Sequence, residues 1–282
     1  MNAADLSAVL TRRSGSNFYY SFLCLPRRKR HAIYALYAFC RTVDDAVDQG
    51  AAGSSEQRRI LAEWRLELAR AYDGRPTQPI AQHLAEVVRA FPVQRQHLEA
   101  ILDGVEMDID KRRYASFEEL HEYCYRVAAA VGLACIEIFG YTDPRARDYA
   151  VNLGVALQLT NIMRDLRTDG ERGRIYLPLD EIRRFGYSED ELLRGRYTPA
   201  FVGLMRFQAS RAHAYYRAAK AARPPADRRR LIAAEIMGSI YRALLREIEA
   251  RQFRVFDGRI RVSTPRKITL ALGAYLHGQL AP

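Results

Sequence analysis

Three carboxylates, Asp44, Asp45 and Asp48, fall within five residues at the end of the segment RHAIYALYAFCRTVDDAVD, residues 30–48. The residues before them read as a mostly apolar helix, and the negative end of a helix dipole disfavours acidic groups in its last turn. At about 100° per residue, Asp44 and Asp48 stand roughly 40° apart, one turn above the other, with Arg41 a turn earlier near the same face. Like charges at this spacing mildly destabilise a helix, so the pattern calls for a positive partner. A second patch lies in QLTNIMRDLRTD, residues 158–169. There Gln158, Asn161, Asp165 and Asp169 form one polar stripe on a helix otherwise rich in Leu, Val and Ile, and Arg164 flanks it. A polar stripe on a buried helix costs energy unless it is satisfied.

Carboxylates with an amide oxygen suit a hard cation. Mg²⁺ prefers oxygen ligands and is typically held by a few carboxylates together with substrate phosphates. Two such patches about 120 residues apart can hold a cluster of Mg²⁺ ions with a diphosphate between them. Asp44, Asp48, Asn161, Asp165 and Asp169 are the candidate metal ligands. Arg41 and Arg164 would complete the anion site, and the metal would draw charge from a leaving diphosphate. A third acidic cluster, DGVEMDID at 103–110, is followed at once by basic KRRY. Asp103, Glu106 and Asp110 share a helix face, and a structural, salt-bridged role is the favoured reading for them.

The elements that must position these groups are helical. Ala, Leu, Arg and Glu abound and alternating β-branched runs are nearly absent. The pattern predicts helices over 2–12, 27–48, 54–72, 79–90, 94–110, 116–140, 143–168, 198–221, 225–252 and 265–278, with 16–24 as a further candidate. Pro26 opens the first long helix, and Ser116 to Glu119 has the form of a capping box. Residues 169–200 read as a long loop with short helical turns, a form that often serves as a functional lid. The expected architecture is an all-α bundle, one domain over residues 1–282, with its site between central helices.

Composition narrows the partners. The chain of 282 residues has a formal net charge of +11, which suggests an anionic partner. Basic clusters occur at 26–31 and 223–230, but no nucleic-acid-binding motif accompanies them, and nucleic acid is not expected. An anionic membrane surface is a candidate peripheral contact. The four cysteines form no CxxC pair and the six histidines no metal-binding pattern. Reduced thiols and a cytoplasmic protein without zinc follow, with a place at the inner face of the membrane open to it. The longest apolar run, Val127–Phe139, contains Glu137 and is too short for a membrane span, which needs about 20 residues.

With these residues in view, the chain resembles the squalene/phytoene synthase family of head-to-head prenyltransferases. The motifs that carry the resemblance are GSNFYYSFLCLP (15–26), YALYAFCRTVDDAVD (34–48), YCYRVAAAVG (123–132), LQLTNIMRDLRTDGERGRIYLP (157–178) and FRVFDGRIRVSTPRK (253–267). Within the family the chain is most like the bacterial presqualene diphosphate synthases of hopanoid biosynthesis. The resemblance implies the isoprenoid-synthase helical fold with a central active-site cavity. It implies Mg²⁺-dependent condensation of two farnesyl diphosphates to presqualene diphosphate, with NADPH not required.

Residue by residue, the resemblance makes Asp44, Asp48, Asp165 and Asp169 the metal-binding aspartates and Arg41 a diphosphate contact. Gln158, Asn161 and Arg164 match the polar residues before the second metal motif. Tyr123 matches a tyrosine near the reacting carbons and Tyr176 one on the diphosphate side. Ser16 and Phe18 fall in the N-terminal motif, where Gly15 replaces a common serine. Arg266 and Lys267 are candidate anion contacts, and Phe253 stands where some members carry tyrosine. Phytoene, dehydrosqualene, squalene and hydroxysqualene synthases are the alternatives within the family. A chain-elongating prenyl synthase or terpene cyclase is the more remote one, since DDAVD also satisfies DDxxD. Oligomeric state is not legible.

Overall fold

The computed structural model describes residues 3–13, 21–48 and 53–280, with side chains over 4–11, 21–47 and 53–276. Thirteen α-helices are defined among these residues: α1 (Ala3–Arg13), α2 (Arg27–Asp48), α3 (Ser54–Tyr72), α4 (Pro79–Ala90), α5 (Arg95–Asp110), α6 (Phe117–Cys124), α7 (Ala130–Phe139), α8 (Arg145–Glu171), α9 (Leu179–Arg184), α10 (Glu189–Leu193), α11 (Pro199–Ala222), α12 (Ile232–Ala250) and α13 (Thr264–Leu280). No strand is present among them, only an isolated parallel bridge between Arg113 and Ile175. The all-α expectation holds. Most of the candidate helix at 16–24 lies outside the described residues.

Local chemistry sets several of these boundaries. Pro79 and Pro199 occupy first-turn positions, where a missing N–H does no harm. The Thr198 hydroxyl caps α11 by accepting from the Phe201 amide at 3.2 Å, and Ser188 with Glu191 closes a full capping box on α10. The box expected at Ser116 does not form. Glu119 instead accepts from the Ala115 amide at 3.0 Å and pairs with Lys111 at 2.7 Å, which anchors the loop ahead of α6.

The predicted helix over 116–140 is interrupted by a π-helical turn at Tyr125–Ala129, and glycines account for its position. A Cβ on Gly104 of α5 would lie 2.7 Å from Val127, and one on Gly154 of α8 would lie 2.7 Å from the Ala129 Cα. The π turn is therefore pressed between two helix backbones, closer than any side chain allows. α8 is the central helix, buried on several sides, and it packs along α11 and against the π turn, α7 and α12. Both α2 and α8 pack on α7, so the two helices that carry the carboxylate patches face a common floor. No helix of the described residues is long and apolar enough to cross a membrane.

Gly154→Ala tests this packing. The added methyl meets backbone rather than a flexible side-chain tip, so a stability loss of about 1–3 kcal/mol is expected. Chemical denaturation checks it, and an unchanged midpoint would show that α8 can move away from the π turn.

Candidate active site

The large cavity of the molecule, about 1310 Å³, is lined by both carboxylate patches. Arg41, Asp44 and Asp45 reach it from the last turns of α2, and Gln158, Asn161, Asp165 and Asp169 from the C-terminal half of α8. Neither helix has a basic residue in its last turn. Two negative helix ends, each bearing carboxylates, thus face one space. Asp48 is the last residue of α2, and its side chain lies outside the described part, as do Ser16 and Phe18.

The guanidinium of Arg41 binds Asp45 in a fork, at 2.9 and 2.6 Å, and stands 3.7 Å from Asp44. Arg164 clasps its neighbour Asp165, and Arg259 approaches the same carboxylate at 3.4 Å. Asp169 has Asp165 and Asp108 as negative neighbours and Arg172 and Arg174 as positive ones. Burial, then repulsion by Asp165, pushes its carboxyl up to about 7, with Asp108 adding to the rise and the two arginines opposing it. The Asn161 Nδ2 reaches the Gln158 Oε1 at 3.4 Å, while the buried Asn161 Oδ1 has no hydrogen-bond partner.

These features fit a hard cation. A buried amide oxygen without a donor, beside carboxylates whose mutual repulsion raises one pKa, is a set of oxygen donors short of positive charge. Among the described residues no three Asp, Glu, His or Cys side chains converge into a closed cage. That is compatible with Mg²⁺ held by one or two carboxylates per ion and completed by substrate phosphate.

A second constellation lies beside the carboxylates. Asp108 of α5 accepts from the Tyr123 hydroxyl at 2.9 Å and the Tyr176 hydroxyl at 2.7 Å, and the two hydroxyls are 3.4 Å apart. The rings of Tyr123 and Tyr176 stack at 5.0 Å between centroids, and Tyr114 stacks on Tyr176 at 5.8 Å. Burial and then the Asp108 charge raise the pKa of both Tyr123 and Tyr176, so both are neutral phenols. Tyr176 is delivered by backbone pairing: Ile175 N–H to Arg112 O at 3.0 Å and Leu179 N–H to Tyr114 O at 2.9 Å. Gly173, at φ +73°, makes the turn that starts this segment.

Asp108 is the residue sequence reasoning missed. Its signal was a single carboxylate ending the apolar stripe Leu98, Ile101, Val105 on α5, and all of these but Leu98 line the cavity. The three acids of that helix singled out for a structural role do pair away from the cavity. Arg65 bridges Asp103 and Glu106 at 2.7 Å each, and Arg58 holds Asp110. Arg172, Arg174, Arg259 and Arg261 also line the cavity and were not anticipated. Of the two tail cations, Lys267 is buried on the cavity wall, where burial lowers its pKa with help from Arg261 and Arg164. Arg266 is not on that wall and pairs with Glu247 at 3.1 Å. Phe253 is buried in the core.

The raised Asp169 pKa gives a sign for stability. The fold favours the protonated carboxyl, so this group's contribution is fully present below about pH 4 and is lost as pH rises through about 7. Asp169→Asn should therefore raise the melting temperature of the metal-free protein at pH 8 by a few degrees, with the gap closing toward pH 4. A variant that melts below the wild type at pH 8 would show that the surrounding arginines already neutralise this carboxylate.

Much of the rest of the cavity wall is apolar, with Phe22, Val131, Leu153, Leu157 and Met237 among its residues. Small residues Ala128, Gly132, Ala150 and Gly154 line it too, so some of them both leave room and allow close packing.

Comparison with known proteins agrees with this arrangement. The profile of the family described as Squalene/phytoene synthase matches residues 11–266. A phytoene synthase of Arthrospira platensis is 36% identical over 94% of this chain and 89% of its own length. The 15-cis-phytoene synthase of a Synechocystis strain is 35% identical over 99% and 86%. Among solved structures, a dehydrosqualene synthase in complex with ligand superposes with a TM-score of 0.88 at 28% identity, covering 99% of this chain and 97% of that one. The squalene synthase HpnC from Alicyclobacillus acidocaldarius gives 0.80 at 28% identity over 89% and 94%. By profile, relatives and fold together, the chain belongs to the squalene/phytoene synthase family, prenyltransferases that condense prenyl diphosphates head to head.

Proposed function

We propose that the chain, acting as one catalytic domain, condenses two farnesyl diphosphates to presqualene diphosphate in a Mg²⁺-dependent reaction. The observation that carries this reading is one large cavity that both charged and apolar residues line. One end holds the two carboxylate-bearing helix termini with Arg164, Arg172, Arg174, Arg259 and Lys267, and the other end is apolar. Diphosphates fit the first end and prenyl chains the second. Asp44, Asp48, Asn161, Asp165 and Asp169 are the residues proposed to hold Mg²⁺, which supplies charge neutralisation to the departing diphosphate.

The rest falls to the chain's own groups. Arg164, Arg172 and Arg174 bind and orient phosphate oxygens. The apolar wall excludes the water that would quench an allylic cation. Loss of diphosphate from the donor leaves that cation, and its C1 bonds to the C2–C3 double bond of the acceptor. Proton loss then closes the cyclopropane. Tyr123 and Tyr176, kept neutral by burial and fixed by Asp108, line the cavity, and aromatic rings there attract a cation.

A second reading within the family is phytoene synthesis from geranylgeranyl diphosphate, favoured by relatives of that name at 35–36% identity over nearly the whole chain. Incubation with each diphosphate and Mg²⁺, with and without NADPH, followed by mass analysis, decides between them. Presqualene diphosphate from farnesyl diphosphate in both cofactor conditions is expected. Phytoene from the longer substrate with no turnover of the shorter would establish the second reading. A requirement for isopentenyl diphosphate would remove both.

A further inference from the structure

The large apolar side chains left exposed are concentrated at one corner. Of seven in the described residues, Ile268, Leu272, Tyr275 and Leu276 lie on α13 and Leu23 lies on the segment before α2. The four on α13 are spaced as one helical stripe. The helix is held from another side, where Leu270, Ala271 and Ala274 pack on Ile232, Ile236 and Ile240 of α12, with Cys24 in the same cluster. That shared cluster places the chain segment that carries Leu23 against α12 and α13.

The same corner is strongly basic. A second pocket of about 400 Å³, lined from α8, α11, the α11–α12 connection, α12 and Ala274 of α13, contains Arg217, Lys220, Arg223, Arg228, Arg242 and Arg246 against one carboxylate, Glu235. Glu235 is already committed to Arg223 at 2.5 Å and to the Tyr149 hydroxyl at 2.7 Å. Arg217, Lys220, Arg228 and Arg246 have no carboxylate partner among the described residues. The two basic clusters of the sequence, 26–31 and 223–230, approach each other, and Arg228 of the second lines this pocket. Arg230 lies close enough to Lys29 to add to the effect of burial in lowering its pKa.

We propose that this corner docks on an anionic lipid bilayer, with Leu23 and the Ile268–Leu276 stripe entering the acyl boundary and the cations around the second pocket contacting headgroup phosphates. Charge complementarity selects this occupant: an apolar helix face bordered by unpaired basic groups is the pattern of interfacial binding. The location adds a purpose that rests on the proposed condensation. The first residues of α13, Thr264 and Lys267, and Phe22 beside Leu23 line the large cavity. The docked elements are thus also cavity walls, and an amphiphilic product with a long prenyl tail would leave toward lipid.

Co-sedimentation of the full chain, without substrate, tests the docking. Vesicles of phosphatidylcholine alone are compared with vesicles one-third phosphatidylglycerol. Wild-type protein should pellet with the anionic vesicles and lose that preference at high salt. Lys220→Gln with Arg246→Gln should lower partitioning by about fivefold per charge. Leu272→Ser with Leu276→Ser should abolish it, and both pairs should keep wild-type condensation rates in detergent solution. Three results would overturn the proposal: no pelleting of the wild type, equal pelleting with neutral vesicles, or wild-type pelleting of both double variants. Sedimentation showing that the stripe closes a dimer, with no vesicle binding, would also overturn it. Failure of condensation in detergent by the wild type bears on the catalytic reading alone.

Discussion

Two helices end against the same cavity with their negative poles and their carboxylates turned inward, and this concentration of like charge governs the rest of the site. α2 contributes Asp44 and Asp45, and α8 contributes Asp165 and Asp169. Without added cations the protein manages the charge in three ways. Arginines fold onto individual carboxylates, as Arg41 does on Asp45 and Arg164 on Asp165. One group, Asp169, is driven toward its protonated form. One acceptor, the Asn161 Oδ1, goes unpaired. Each is a local cost that a bound cation would relieve.

In the proposed reaction the same arginines would have a second use. A guanidinium released from a carboxylate by a competing cation is a preformed phosphate contact. Beyond them, Asp108 holds two phenols on the cavity wall. Because both hydroxyls donate to one carboxylate, the rings are fixed in orientation as well as depth. The π turn contributes from behind. It begins two residues after Tyr123 and is gripped between Gly104 and Gly154, so the tyrosine sits next to backbone that has little room to shift.

Much of this was legible in the sequence, for physical reasons. Helices such as 27–48 and 79–90 carry periodic apolar faces and proline or polar starts, and their ends fall where read. The polar stripe of α8 could be read because it interrupts apolar surroundings at helical spacing. Asp108 was not, because DGVEMDID offers four acids and only three share a salt-bridged face. The odd one continues the apolar stripe of Ile101 and Val105, and that continuation was the overlooked sign. The π turn was invisible because it comes from backbone contact across α5 and α8, which no local pattern encodes. The roles of Arg172, Arg174 and Arg259 were hidden for a related reason: loop arginines are usually solvated, and only the tertiary fold turns these three to the cavity. Arg266 shows the reverse, since an arginine beside a cavity-lining lysine found Glu247 instead.

The central claim is that the two helix ends hold divalent metal and diphosphate jointly. Anomalous diffraction from crystals soaked with Mn²⁺ and inorganic diphosphate addresses it most directly. The account predicts manganese peaks between the α2 and α8 carboxylates, with diphosphate oxygens completing their coordination and Arg164 drawn from Asp165 toward phosphate. Diphosphate bound by the arginines with no metal at either helix end, or metal on one helix alone with no diphosphate between the two, would contradict it.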